Sequence, residues 1–190
     1  MINLGRLAKY KSENILLRAH IDKEEVIIRS ASLEDAIWMS ELNKWSLESC
    51  EDLIKKSMED ERTVLFVYEA DKQPFGQSTI WHIDDEGNAE YGRLIRVRKN
   101  IAKGGITIAT KEVLRYSFED INLNRIYLHV EAKNFRAKKV YYECGFLATK
   151  ELPLERQGKG FTVKPELGVK AREYLTCMEI TRERFEYLQS

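Results

Sequence analysis

Residues 90–146, EYGRLIRVRKNIAKGGITIATKEVLRYSFEDINLNRIYLHVEAKNFRAKKVYYECGF, decide the fold. The segment opens inside a strand, Ala89 to Val97. Lys103 to Gly105 is a tight glycine-containing turn. Ile106 to Phe118 then places apolar residues at 106, 109, 113, 114 and 118, one face of an amphipathic helix. Asn124 to Glu131 alternates apolar residues at 126, 128 and 130, the period of a strand. Asn134 to Glu143 reads as a second helix stopped by Gly145 at C′, and Phe146 to Thr149 begins another strand.

Upstream, residues 1–24 are polar and weakly patterned, fit for an appended strand or helix. Val26 to Arg29 is a short strand. Ser32, with Asp35 three residues on, reads as an N-cap for a helix over Leu33 to Leu42, and Leu47 to Met58 is a further helix. Thr63 to Glu69 and Gln77 to Ile83 are strands, with a turn at Lys72 to Gly76 around Pro74 and a hairpin at Asp84 to Gly87. Downstream, Glu155 to Gly160 reads as a flexible loop and Tyr174 to Thr181 as a late strand. Hairpins followed by strand–helix–strand units predict an α+β (mixed α/β) fold with crossover helices, not a doubly wound dinucleotide fold. The expected organisation is an extension, residues 1–25, and one domain, residues 26–190.

The chain has 190 residues, with 31 basic and 31 acidic side chains. A balanced charge provides no global field for nucleic acid or an anionic membrane, so neither is expected as a partner. No apolar run reaches the roughly 18–20 residues that span a bilayer, and residues 1–11 lack a signal-length apolar stretch. A cytoplasmic protein is expected. Cys50, Cys144 and Cys177 are odd in number and widely spaced, which argues against a disulfide framework or a zinc site; no metal is expected.

Two pieces carry chemistry. A helix N-terminus after glycines leaves backbone N–H groups and the positive end of the dipole for an anion such as a pyrophosphate, and Lys103 adds a mobile charge. Asn134 and Tyr141, seven residues apart, share a helix face with Ala137 between them. A small residue there admits a close neighbour, and the phenol offers a proton. Each piece alone also has a purely structural reading: a glycine turn in one case, an N-cap Asn with a packed Ala and Tyr in the other.

The pattern N-x-x-A-x-x-x-Y-x-x-x-G-F at 134–146, following strand, glycine turn and helix, resembles the GNAT N-acetyltransferases. Glu90-Tyr-Gly92-Arg93-Leu-Ile, Tyr116-Ser-Phe118-Glu and Leu123-Asn-Arg125-Ile support it, especially toward the branch acetylating ribosomal-protein N-termini, sugar amines and small-molecule amines. The resemblance covers roughly residues 26–150. It implies a mostly antiparallel sheet flanked by helices and splayed in the middle, between Leu94–Val97 and Ile126–Val130, with acetyl-CoA as cosubstrate. The cofactor arm would lie along the strand at Ile95 and Val97, and the pyrophosphate turn would begin at Arg98. Lys103, Gly104, Gly105, Ile106 and Thr107 would hold the pyrophosphate. Asn134 would bind the arm, and Tyr141 would protonate the departing thiolate. The family's turn has Arg or Gln, then Gly, then Gly or Ala; here these positions are Ile101, Gly104 and Ile106, so only the centre matches.

An amine attacks a thioester as the free base, so a carboxylate or His must take its proton. Glu90 is the first candidate and His82 the second; Glu69 and Glu131 are weaker, and His129 is read as part of a strand face. Trp38 is read as core, and Trp45 and Trp81 as core or pocket walls. The acceptor is read as the primary amine of a small molecule, such as an amino sugar or nucleotide-linked amino sugar. Alternatives are a protein N-terminus, or a degenerate module that binds coenzyme A without turnover. A homodimer is the assembly allowed for.

Overall fold

In the first of the chain's two units, Met1–Asn124, β-branched and aromatic runs set five strands: β1 (Leu17–Ile21), β2 (Glu24–Ser30), β3 (Val64–Ala70), β4 (Gln73–Trp81) and β5 (Asn88–Arg96). Each pairs antiparallel with the next. The computed structural model describes residues 1–22, 24–97, 102–157 and 160–190.

Period-two alternation sorts the side chains of this sheet. Leu65 and Val67 of β3 turn to one face, where α2 (Asp35–Asn43) and α3 (Leu47–Glu59) add Ala36, Met39, Cys50 and Ile54 to a shared core. Phe66 and Tyr68 turn to the other. Phe66 meets Tyr10 of α1 (Leu4–Ser12), ring centroids 5.6 Å apart. The Tyr68 hydroxyl bonds Ser78 and lies 3.1 Å from that of Tyr91, which lies 2.9 Å from Thr110 Oγ1 of α4 (Gly105–Arg115). This buried polar chain is satisfied link by link, the condition under which such a network fixes one packing. The stretch left open as strand or helix at residues 1–24 holds both α1 and β1. Tyr10 Oη donates to the Ile28 carbonyl at 3.2 Å, and Tyr116 Oη donates to that of Arg6 at 3.0 Å.

On the α2 face, Arg29 binds Asp35 through both terminal nitrogens at 2.7 Å and Glu69 at 2.6 Å. Ser32 was expected to cap α2; instead its N–H and hydroxyl donate to Asp35 Oδ2. Burial pushes the Asp35 carboxyl up, but donation from Arg29, Ser32 and Trp38 overcomes it and holds the carboxyl below the usual range.

Two departures from the expected strand limits matter. The turn between β3 and β4 is Asp71–Lys72, with φ of 51° and 58°, a two-residue turn of the type I′ pattern. Pro74, expected in the turn, therefore lies within β4, at a bulge opposite Glu69 where a missing N–H is tolerated. On β5, Gln77 pairs with Ile95 and Thr79 with Gly92, so Arg93 and Leu94 together face Ser78. This bulge turns the strand and re-aims Arg93, whose φ is 47°. The amphipathic helix predicted to Phe118 ends as α at Arg115 and continues as a π turn, Tyr116–Asp120.

The second unit, Arg125–Ser190, holds β6 (Arg125–Glu131), α5 (Phe135–Glu143), β7 (Leu147–Gln157), β8 (Gly160–Val163), β9 (Glu173–Thr181) and α6 (Arg182–Gln189). Its strands run antiparallel in the order β6-β9-β7-β8. Ile126, Leu128 and Val130 are buried, as their alternation predicts. The loop expected at Glu155 to Gly160 is instead a hairpin, with Glu155 opposite Thr162 and Gln157 opposite Gly160. Gly145 has φ 97°, the left-handed C′ conformation, and its carbonyl accepts from Arg184 Nε at 2.6 Å.

Candidate functional site

The bulge on β5 organises the first unit's candidate site. Thr79 lies opposite Leu65, which faces the α2–α3 core, so Thr79 and Trp81 share that face. Trp81 pairs with Glu90, and Thr79 with Gly92. A Cβ on Gly92 would stand 3.2 Å from the Trp81 ring. The Arg93 guanidinium sits over Trp81, 5.2 Å from the centroid, and 6.0 Å from the ring of Trp45 in the α2–α3 connection. Thr79 Oγ1 and Trp81 Nε1 are buried with no hydrogen-bond partner among the described residues.

Both candidate bases meet here. His82, just past β4 with φ 53°, places Nδ1 3.3 Å from Glu90 Oε2. Glu90 is largely covered, with 21% of its side chain exposed against 71% for His82. A carboxylate beside an imidazole can orient the ring, and either group can take a proton from an entering ammonium. Of the weaker candidates, Glu69 is committed to Arg29, while Glu131 and His129 lie exposed on β6, the latter 5.9 Å from the Tyr127 ring. Trp38 packs on the α2–α3 core as expected and donates from Nε1 to Asp35 at 2.8 Å.

Arg98 and Ile101 lie outside the described residues. Of the arm-binding candidates, Ile95 stands opposite Gln77, and the Val97 N–H is already given to the Phe75 carbonyl at 2.9 Å. At the glycine turn, Ala102 (φ 46°) and Gly104 (φ 87°) are left-handed around an exposed Lys103. Gly104 is the N-cap residue just before α4, which starts without a side-chain cap; its carbonyl accepts from Thr107 at 3.0 Å and Ile108 at 3.3 Å. Gly105 packs where a Cβ would stand 2.8 Å from that of Ala102 and 3.0 Å from the Phe75 ring. Ile106, expected to crowd the turn, is 7% exposed and turned inward: its Cδ1 would stand 2.7 Å from a Cβ on Gly76.

In the second unit, Asn134 caps α5, its Oδ1 accepting from Ala137 N at 3.2 Å. Tyr141 is 6% exposed, its ring 5.8 Å from that of Phe146. A hollow of about 540 Å³ lined by Leu147, Thr149, Glu179 and Tyr187 contains none of the candidate residues. Among the described residues no three His, Cys, Asp or Glu side chains group as metal ligands, and no helix is long and apolar enough to cross a membrane.

Sequence reading left Trp45 and Trp81 open and did not identify Thr79 or Arg93 as a site. Their convergence depends on the β5 bulge, which has no period in the sequence.

Residues 14–147 match the family described as Acetyltransferase (GNAT) domain. A spermidine N(1)-acetyltransferase of Vibrio cholerae is 32% identical over 103 residues, which are 54% of this chain and 60% of that protein. The chain thus spans less than two thirds of that relative. A solved chimera of the V. cholerae spermidine N-acetyltransferase is 26% identical, with a TM-score of 0.69 over 85% of this chain and 98% of that one. At 24% identity and a TM-score of 0.69, the same fold recurs in a structure of that enzyme with CoA and spermine, over 84% of this chain and 97% of that one.

Proposed function

The chain belongs to the GNAT acetyltransferase family, and from that premise we propose that it is an acetyl-CoA-dependent N-acetyltransferase acting on the primary amine of a small molecule. The observation that carries this reading is the family match over residues 14–147.

Acetyl-CoA supplies an acyl group activated as a thioester. The residues of the glycine turn fit its pyrophosphate: α4 starts without a side-chain cap beside Lys103, which leaves the positive end of the helix dipole there, and Ile106 turns its side chain inward, while the N–H groups of Gly105 and Thr107 are engaged with the Ala102 and Gly104 carbonyls. In this reading Lys103, Gly104, Gly105, Ile106 and Thr107 hold the phosphates. Arg98 opens that phosphate turn, and Ile95 and Val97 follow the arm, with Val97 limited to its carbonyl because its N–H is engaged. Asn134 offers its amide nitrogen, its oxygen being used as the α5 cap. Glu90, with His82, takes the proton of the entering ammonium, and Tyr141 returns one to the thiolate. The three cysteines are buried and joined by no disulfide, which supports the cytoplasm as the place of action.

Likeness to spermidine N-acetyltransferases brings a polyamine forward as acceptor. A second reading, an amine that also carries an anionic group, such as a nucleotide-linked amino sugar, is favoured by Arg93 above the two indoles.

Titrating acetyl-CoA while following thermal unfolding tests the cofactor assignment. A ligand bound only by the native state at a hundredfold excess over Kd adds about 2.7 kcal/mol, or roughly 5–10 °C for a chain of this size. No shift at millimolar acetyl-CoA contradicts the proposal.

A further inference from the structure

Arg93 is the one cation of this site with an aromatic seat. Its guanidinium lies over Trp81 at 5.2 Å and beside Trp45 at 6.0 Å. No carboxylate pairs with it among the described residues, whereas Arg29, Arg62, Arg115 and Arg125 of the same chain are all ion-paired. Although exposed by surface area, Arg93 rests on indole surface that removes enough water to draw its pKa below the ordinary value, with no acidic neighbour offsetting the shift. A guanidinium stacked by its face keeps its N–H edges outward, in the fork geometry that matches a carboxylate or phosphate.

Resting on the acetyltransferase reading above, we propose that Arg93, seated on Trp81 and Trp45, binds an oxyanion carried by the amine acceptor and selects an anion-bearing amine over a bare polyamine. The face is polar from end to end in a matching sense. Glu90, three residues before Arg93 and facing the same side as Trp81, offers negative charge for the ammonium. On strand geometry their Cα atoms stand roughly 10 Å apart. Between them, Thr79 Oγ1 and Trp81 Nε1 are buried polar atoms with no partner among the described residues, places for the hydroxyls of a polar body. A polyamine has a second and third ammonium and nothing to offer Arg93; its far end would meet like charge over a poorly hydrated surface.

Matched amines isolate the anion. Ornithine differs from putrescine by a carboxylate, and glucosamine 6-phosphate from glucosamine by a phosphate. Calorimetric titration of the full chain with these four and spermidine should show an anion-bearing member binding at least about tenfold tighter than its twin without the anion; which pair shows it distinguishes carboxylate from phosphate. Arg93→Gln should abolish that preference and Arg93→Lys keep part of it, with acetyl-CoA affinity unchanged in both. Putrescine, glucosamine or spermidine binding as tightly as the anion-bearing members, or a preference that survives Arg93→Gln, overturns the proposal. Release of the coenzyme A thiol with the same amines keeps the two readings apart. An Arg93-dependent preference without thiol release sinks the acetyltransferase and leaves the subsite. Release with spermidine, unchanged in Arg93→Gln, does the reverse.

Discussion

Two side chains carry the sharpest consequences at the scale of single residues. Tyr141 sits at 6% exposure on α5, and its proposed work is one proton. Tyr141→Phe keeps the ring and removes the donor, so turnover should fall by about 100-fold or more while acetyl-CoA affinity, measured by calorimetry, stays within about twofold. Unchanged turnover removes Tyr141 from the acid role. Arg29 is structural: it neutralises Asp35 and Glu69, whose side chains are 4% and 19% exposed. Arg29→Met strands both carboxylates and should cost about 3–5 kcal/mol in denaturant unfolding. Asp35 also predicts a pH dependence. Its folded pKa is depressed, so its contribution is complete above the unfolded value near 3.9 and is lost as pH falls through the lower folded value. Stability of the native chain should therefore drop below about pH 4. Asp35→Asn, though less stable overall, should show a shallower drop.

Among the elements, α4 and its entry turn bear the most on the proposed function. Gly104 has φ 87°, and a Cβ there meets only the tip of Ile21, at 2.7 Å. The cost of Gly104→Ala is therefore conformational, about 1–2 kcal/mol, read as a lower denaturation midpoint with an unchanged slope. Weaker acetyl-CoA binding should accompany it if this turn holds the phosphates. The same elements show what a sequence can tell. Apolar periodicity at 106, 109, 113 and 114, and at 126, 128 and 130, located α4 and β6 because burial enforces those periods. The Asp71–Lys72 turn escaped notice because both residues are left-handed without being glycine, so Pro74 drew the turn to itself. The β7–β8 pairing was hidden because Glu155 to Gly160 reads as a loop on its glycines, whereas Glu155 to Gln157 pair with Gly160 to Thr162.

For the molecule as a whole, family membership was legible because Asn134, Ala137, Tyr141, Gly145 and Phe146 are spaced by one helix and its left-handed stop. The Glu90–His82 pair was legible only as two separate candidates; their 3.3 Å approach depends on the β4–β5 register. The seat of Arg93 was not legible, because a bulge carries no pattern and Trp45 reaches it from the distant α2–α3 connection.

The central claim, that this chain moves an acetyl group from acetyl-CoA to an amine, is tested most directly by amine-dependent release of the coenzyme A thiol. With the purified chain, acetyl-CoA and a panel of anion-bearing amines and polyamines, thiol should appear only when enzyme and amine are both present. It should saturate with each substrate and fall sharply in Tyr141→Phe. Thiol release no faster than spontaneous hydrolysis with every amine, from a chain that still binds acetyl-CoA, would contradict the account and leave a coenzyme A-binding module without turnover.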